Sequence, residues 1–198
     1  SIQSIPAAKV AERDLENVNE IINNSGDDRN NILPSDKIVL VVEDDLRFSK
    51  IMIDKAHEKH LKTIVAANFG EVFELTNKYN PIAVTLDVKL PDASGWKILD
   101  LFKNDMNFRH IPVHLISGEE NRVLAIKRGA RSFHLKPLKN EALSLLFNDI
   151  VDFNNRKQKN LLVVEDNEID CSQIVKELEN GDLINIQIAT SGKEAISL

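Results

Sequence analysis

Cysteine is nearly absent from this sequence. A single Cys171 in 198 residues rules out a disulfide within the chain and agrees with a reducing compartment. No unbroken apolar run reaches the roughly 18 to 20 residues that span a bilayer, and the first residues lack the apolar stretch of a signal peptide. The expectation is a cytoplasmic segment that makes no membrane contact. Positive charge is short as well, with 25 lysines and arginines against 31 acidic residues and a net charge of −6. That balance argues against nucleic acid as a partner, because phosphate binding needs an excess of basic residues on one face. The basic groupings Lys127-Arg128-Arg131 and Arg156-Lys157 read as solvated helix ends. The histidines, His57, His60, His110, His114 and His134, show no metal-ligand spacing.

What the chain does have is 42% hydrophobic and 28% charged residues, enough for one full domain and part of another. Within it the tetrapeptide "VVED" occurs twice, at Val41–Asp44 and, 122 positions later, at Val163–Asp166. The flanks agree too, "KIVLVVEDD" against "KNLLVVEDN". A repeat at this distance points to two domains rather than to a solenoid.

Residues 6 to 24 read as a helix, with Pro6 in a first turn and Ala11, Leu15, Val18 and Ile22 on one narrow stripe. Asn23 to Lys37 reads as a loop or linker, rich in Asn, Asp and Gly. From Ile38 the pattern becomes regular. Apolar, β-branched runs at 38–43, 63–67, 82–87, 112–117 and 132–135 alternate with helical patterns at about 46–59, 70–79, 95–105, 119–128 and 139–153. Uninterrupted apolar strands are buried on both faces, and strand-helix alternation needs parallel, right-handed crossovers. The fold class is therefore α/β, a doubly wound five-stranded parallel sheet. "NNRKQK" (154–159) reads as a polar extension of the last helix, a connecting rod. Beyond it the same grammar restarts: strand "LLVVE", helix 168–179, strand "NIQIA" and a helix opening at Ser191 and Gly192. Two strands cannot cover both faces of their own sheet, so 160–198 reads as the front part of a second domain.

In open parallel sheets, ligands bind beyond the carboxyl ends of the strands. There the first strand ends in Glu43 and Asp44, the third in Asp87 and the fourth in Ser117, while Lys136-Pro137 follows the fifth. Carboxylates packed together raise one another's pKa unless a cation joins them, and Mg²⁺ is the oxygen-seeking ion that works beside phosphate. Asp87 is then placed to act as a nucleophile toward phosphorus, with the Lys136 ammonium and the Ser117 hydroxyl facing the equatorial oxygens. Asp44 or Asp45 alternatively caps the following helix. Gly129 reads as a helix C-cap, and Trp96 with Ile98, Leu99 and Phe102 as core.

"VVEDD", "LDVKLPDASGW", "LIS" and "RGARSFHLKPL", in this order, resemble the receiver domain of two-component response regulators over about Lys37 to Asp152. The resemblance implies a flavodoxin-like receiver with strand order 2-1-3-4-5, preceded by a helix and followed by a partial second copy. The domains are then 1–36 (helix and linker), 37–152 (receiver), 153–159 (linker) and 160–198 (start of a second receiver). It implies phosphorylation of Asp87, Mg²⁺ or Mn²⁺ held by Glu43, Asp44, Asp87 and the Lys89 backbone carbonyl, and phosphoryl contacts from Ser117 and Lys136. It also implies a cis Lys136-Pro137 bond and a switch made of Ser117 and Phe133. Glu43, Ser117 and Phe133 replace the family's commoner Asp, Thr and Tyr. Lys89 and Glu119 stand where similar proteins vary the acyl phosphate lifetime. Glu165 and Asp166 make a partial second site. The implied partners are a histidine kinase or histidine phosphotransfer domain, and a second copy in a homodimer; the implied parent is a hybrid sensor histidine kinase or multi-receiver regulator. Two other readings stand beside this one: a non-phosphorylated pseudo-receiver, and a Mg²⁺-dependent aspartyl phosphatase of the haloacid dehalogenase type, disfavoured because Lys89 stands where those enzymes carry a second aspartate.

Overall fold

The structure, a computed structural model, describes residues 25–156, 159–179 and 184–198. The helix expected over 6–24 lies outside the described residues. The chain divides into two compact units, 1–137 and 138–198.

The first unit is built on β1 (Ile38–Val42), β2 (Lys62–Ala66), β3 (Ala83–Asp87), β4 (Val113–Ser117) and β5 (Ser132–Leu135), all parallel, in the order β2-β1-β3-β4-β5. Every residue of β1, β3 and β4 is buried, as expected of central strands covered on both faces. The crossovers are α1 (Leu46–His57), α2 (Phe69–Tyr79), α3 (Gly95–Asn104) and α4 (Arg122–Lys127). Side chains alternate along each strand, so Leu40, Val42, Val84, Leu86, Val113, Leu115 and Phe133 share one face. There they form a single cluster with Val72 and Leu75 of α2 and Ile98, Leu99 and Phe102 of α3. Each of these helices is apolar at helical spacing and is opened by a side-chain cap: Asn68 accepts from Glu71 N and Ser94 from Trp96 N. Phe102 lies against Phe73 with ring centroids 5.4 Å apart, and Phe108 closes the same group. Trp96 is only partly buried, packed on the cluster's rim with the Arg128 guanidinium over its ring. Gly129 ends α4 with φ of +88°, a left-handed conformation that suits glycine.

Besides Trp96, which was expected in the core, the sequence and the structure differ at three points. The expected fourth helix, 119–128, contracts to Arg122–Lys127, because the chain bends at Gly118 and Glu119 after β4 instead of coiling. The expected rod does not form through Arg156: α5 (Asn140–Asn154) stops with Asn155 as its C-cap. The residues read as a linker include a 3-10 turn, Asp28–Asn30, bonded to the edge of the sheet.

The second unit holds α5, with Leu143, Leu146, Phe147 and Ile150 as its buried stripe, and a parallel pair, β6 (Lys159–Val164) and β7 (Ile184–Ala189), with α6 (Glu168–Glu179) and α7 (Gly192–Ser197). Several of its strand-end bonds match those at the start of the first unit. Glu165 N donates to Ala189 O at 3.0 Å, as Glu43 N donates to Ala66 O at 3.0 Å. Thr190 N donates to Glu194 Oε2 and Ser191 caps α7, as Ala67 N donates to Glu71 Oε2 and Asn68 caps α2. Leu161, Leu162, Val164 and Ile188 remain exposed. No helix among the described residues is long and apolar enough to cross a membrane.

Candidate functional site

The run Glu43-Asp44-Asp45 leaves β1 with three carboxylates, and the backbone assigns them different tasks. Asp45 caps α1, its Oδ1 accepting from Arg47 N at 2.9 Å and Phe48 N at 3.4 Å. Glu43 is buried, with its Oε1 accepting from Asp45 N at 3.2 Å, and Asp44 is exposed beside it. Asp87 is the last residue of β3 and is also buried. The parallel pairing of β1 with β3 brings the two strand ends together. One oxygen from each of Glu43, Asp44 and Asp87 lies within 4.8 Å of the others.

Lys136 follows β5 and reaches into this group, donating from Nζ to Asp87 Oδ2 at 2.5 Å and to Glu43 Oε2 at 2.8 Å. Its backbone N donates to Ser117 O at 2.7 Å, and the bond to Pro137 is cis. Ser117 ends β4, buried, with Oγ accepting from Glu119 N at 3.0 Å. Lys89 N donates to Asp87 Oδ1 at 3.0 Å, which fixes the carboxylate's second oxygen. Gly95 makes the tight β3–α3 turn possible: a Cβ there would lie 2.2 Å from Asp87 O. Phe133, on β5, is buried beneath the Arg122 guanidinium, 5.7 Å from the ring centroid.

The charges in this group do not balance, since one ammonium faces three carboxylates. Burial pushes Glu43 up to about 7, the Lys136 hydrogen bond opposes it, and the nearby Asp87 charge adds to it. Burial lowers the Lys136 pKa, but bonds to Asp87 and Glu43 outweigh it and raise the value. A cluster of oxygen donors that drives one of its own members to hold a proton near neutrality is one that a hard dication fits.

Two features were missed by sequence reasoning. The Phe48 ring lies 4.7 Å from Lys136 Nζ, and Asp92 pins the β3–α3 loop by accepting from Phe69 N at 3.0 Å. The signal for Phe48 was its place in the first turn of the helix that leaves the acids; nothing local distinguishes Asp92 from a turn former. Glu165 and Asp166 repeat the first pair, with Glu165 Oε1 accepting from Asn167 N at 3.1 Å. Among the described residues no third carboxylate joins them to complete a metal-sized group.

A five-stranded parallel sheet in the order 2-1-3-4-5, with acids beyond β1 and β3 and a lysine after β5, defines a doubly wound domain of the flavodoxin-like receiver type. Residues 39–148 match the response regulator receiver domain, and the chain belongs to that family. It is 29% identical over 107 residues to the polar-differentiation response regulator DivK of Brucella anthropi, covering 52% of this chain and 85% of that protein. Among solved structures, the receiver domain of NtrX from Brucella abortus is 28% identical, with a TM-score of 0.53 over 58% of this chain and 98% of that one. The beryllofluoride-activated NtrC4 receiver domain dimer is 26% identical, with a TM-score of 0.54 over 59% of this chain and 97% of that one.

Proposed function

We propose that this chain is a phosphoacceptor module of a two-component phosphorelay, taking a phosphoryl group from a phosphohistidine onto Asp87. The single observation that carries this reading is the Glu43–Asp44–Asp87 carboxylate group with Lys136 inserted into it. Asp87 Oδ2 attacks phosphorus, the P–N bond breaks, and its electron pair leaves with the donor imidazole. The Lys89 N–H holds Oδ1, which leaves Oδ2 as the attacking atom. Lys136 gives up its contact with Asp87 to meet the phosphoryl oxygens, assisted by the Ser117 hydroxyl. Glu43, Asp44, Asp87 and the Lys89 carbonyl are the residues to hold Mg²⁺ or Mn²⁺, which when bound offsets the charge that gathers on the transferred group.

In this reading Ser117 and Phe133 form the switch that alters a partner-binding surface on the α4 and β5 side. The partners are a histidine kinase or histidine phosphotransfer domain, with a homodimer as the self-associated form, in the cytoplasm. The receiver is 37–152, and 160–198 begins a second receiver, as in a hybrid sensor histidine kinase or a multi-receiver regulator. The partial copy of the strand-end bonds in the second unit supports that architecture.

Intact mass after incubation with Mg²⁺ and acetyl phosphate tests the reading. One acid-labile phosphoryl group is expected, absent from Asp87→Asn. An unmodified chain would overturn it in favour of a binding-only pseudo-receiver, and steady hydrolysis of small phosphate esters would point to a phosphatase.

A further inference from the structure

Residues 27–30 lie outside the family match, and the phosphoacceptor reading makes no use of them. Among the described residues β2 is an edge strand, paired with β1 alone. In a parallel strand alternate residues point their N–H and C=O to the same side. Lys62 and Ala66 bond toward β1, so Thr63 and Val65 turn theirs outward. The run Thr63-Ile64-Val65-Ala66-Ala67 is uncharged and its first three residues are β-branched, the composition of an edge that pairs with other chains if left open.

That edge is covered by side chains rather than by a strand. Val65 N donates to Asp27 Oδ2 at 2.7 Å, Thr63 N donates to Asp28 Oδ2 at 2.8 Å, and Arg29 Nη2 donates to Val65 O at 2.8 Å. Two acceptors and one donor thus meet the outward groups as a neighbouring strand would. The cover is itself tied down. Arg29 forks onto Asp27, Nε to Oδ1 at 2.8 Å and Nη2 to Oδ2 at 2.7 Å, with side-chain exposures of 8% and 0%. Asp28 also takes His57 Nε2 at 2.8 Å, at the end of α1, and Lys62 Nζ at 3.2 Å. A linker would not bury an ion pair.

We propose that Asp27, Asp28 and Arg29 form an edge clasp that occupies the strand-docking edge of β2 in cis, and that releasing it lets this edge pair with the same edge of a second copy of the chain. Self-pairing is the favoured occupancy because the run 63–66, buried while the clasp is in place, carries no charge to repel its own copy once uncovered, and an edge meeting itself across a twofold axis forms a closed, isologous contact.

The test uses the full chain with Asp27→Ala/Asp28→Ala, measuring amide exchange and light-scattering mass over a range of concentrations. Thr63 and Val65 amides should exchange about tenfold faster or more, while Val84 and Leu86 in β3 keep their protection. Mass should rise toward twice that of the unaltered chain at the same concentration. Asp28→Asn, which keeps a carbonyl oxygen for Thr63 N, should leave the mass unchanged. Unaltered exchange at Thr63 and Val65 in the double variant would overturn the clasp. Faster exchange without a rise in mass would overturn the self-docking edge. If β3 protection is also lost in the double variant, Arg29→Lys decides, since it keeps the charge and removes the fork: a rise in mass supports the proposal and an unchanged mass overturns it.

Discussion

Glu43 sits in an electrostatic conflict. Its carboxyl is buried, bonded to Lys136 and close to Asp87, and it holds a proton up to about pH 7. Two consequences of opposite sense follow. Without a cation, the folded state binds this proton more tightly than the unfolded chain, whose ordinary value is 4.5. Glu43 therefore costs stability as pH rises from about 4.5 to 7, and its contribution is least unfavourable on the acid side. With a cation, the proton is the competitor, so Mg²⁺ affinity should climb between pH 6 and pH 8 and level off above. Titration followed by Trp96 fluorescence measures this, and Glu43→Gln should both weaken binding and flatten the pH profile. A wild-type affinity that does not change across that range would contradict the buried, proton-holding carboxyl. The acid triplet was legible in the sequence, but the division of labour within it was not. Asp44 and Asp45 were equal candidates for the cap, and only the backbone path into α1 gives that bond to Asp45. Phe48 and Asp92 were overlooked for a related reason, since both act on residues distant in sequence.

The strands and helices of the first unit were readable because burial on both faces leaves continuous apolar runs, and amphipathic helices leave a 3.6-residue period. The clasp before β1 was not readable, because carboxylates that bind backbone amides leave no period at all and share their composition with linkers. It is nonetheless a structural part of the sheet. Arg29→Ala leaves the Asp27 carboxylate, with 0% side-chain exposure, without its guanidinium, and should cost about 3–5 kcal/mol in urea unfolding. A loss below about 1 kcal/mol would mean that the pair is solvated. Asp28 titrates in the opposite sense to Glu43. Burial raises its pKa, but bonds to His57, Thr63 N and Lys62 lower it more, so its contribution is present above pH 3.8 and fades as pH falls further.

At the scale of the whole chain, the two units contrast in how completely they bury themselves. In the first, β1, β3 and β4 are sealed on both faces. In the second, Leu161, Leu162, Val164 and Ile188 of the β6–β7 pair are exposed. Sub-global opening follows apolar burial, so amides of β6 and β7 should lose protection well before those of β1 and β3. Peptide-resolved hydrogen exchange reads this directly, and equal protection in both sheets would show that the exposed side chains are covered in solution. The repeated "VVED" predicted two copies of one grammar, and the strand pairings agree, with β6–β7 parallel as β1–β2 are.

The matching turns after β2 and β7 make those segments interchangeable parts. Ala67-Asn68 and Thr190-Ser191 open their helices with the same backbone-to-glutamate bond and with a capping side-chain oxygen at the same place, the amide Oδ1 of Asn68 in one and the hydroxyl Oγ of Ser191 in the other. Writing the later pair into the earlier site, as Ala67→Thr/Asn68→Ser, should leave the unfolding midpoint of the first unit within about 0.5 kcal/mol of the original. The two turns are in that sense spare parts for one another, alike down to individual hydrogen bonds.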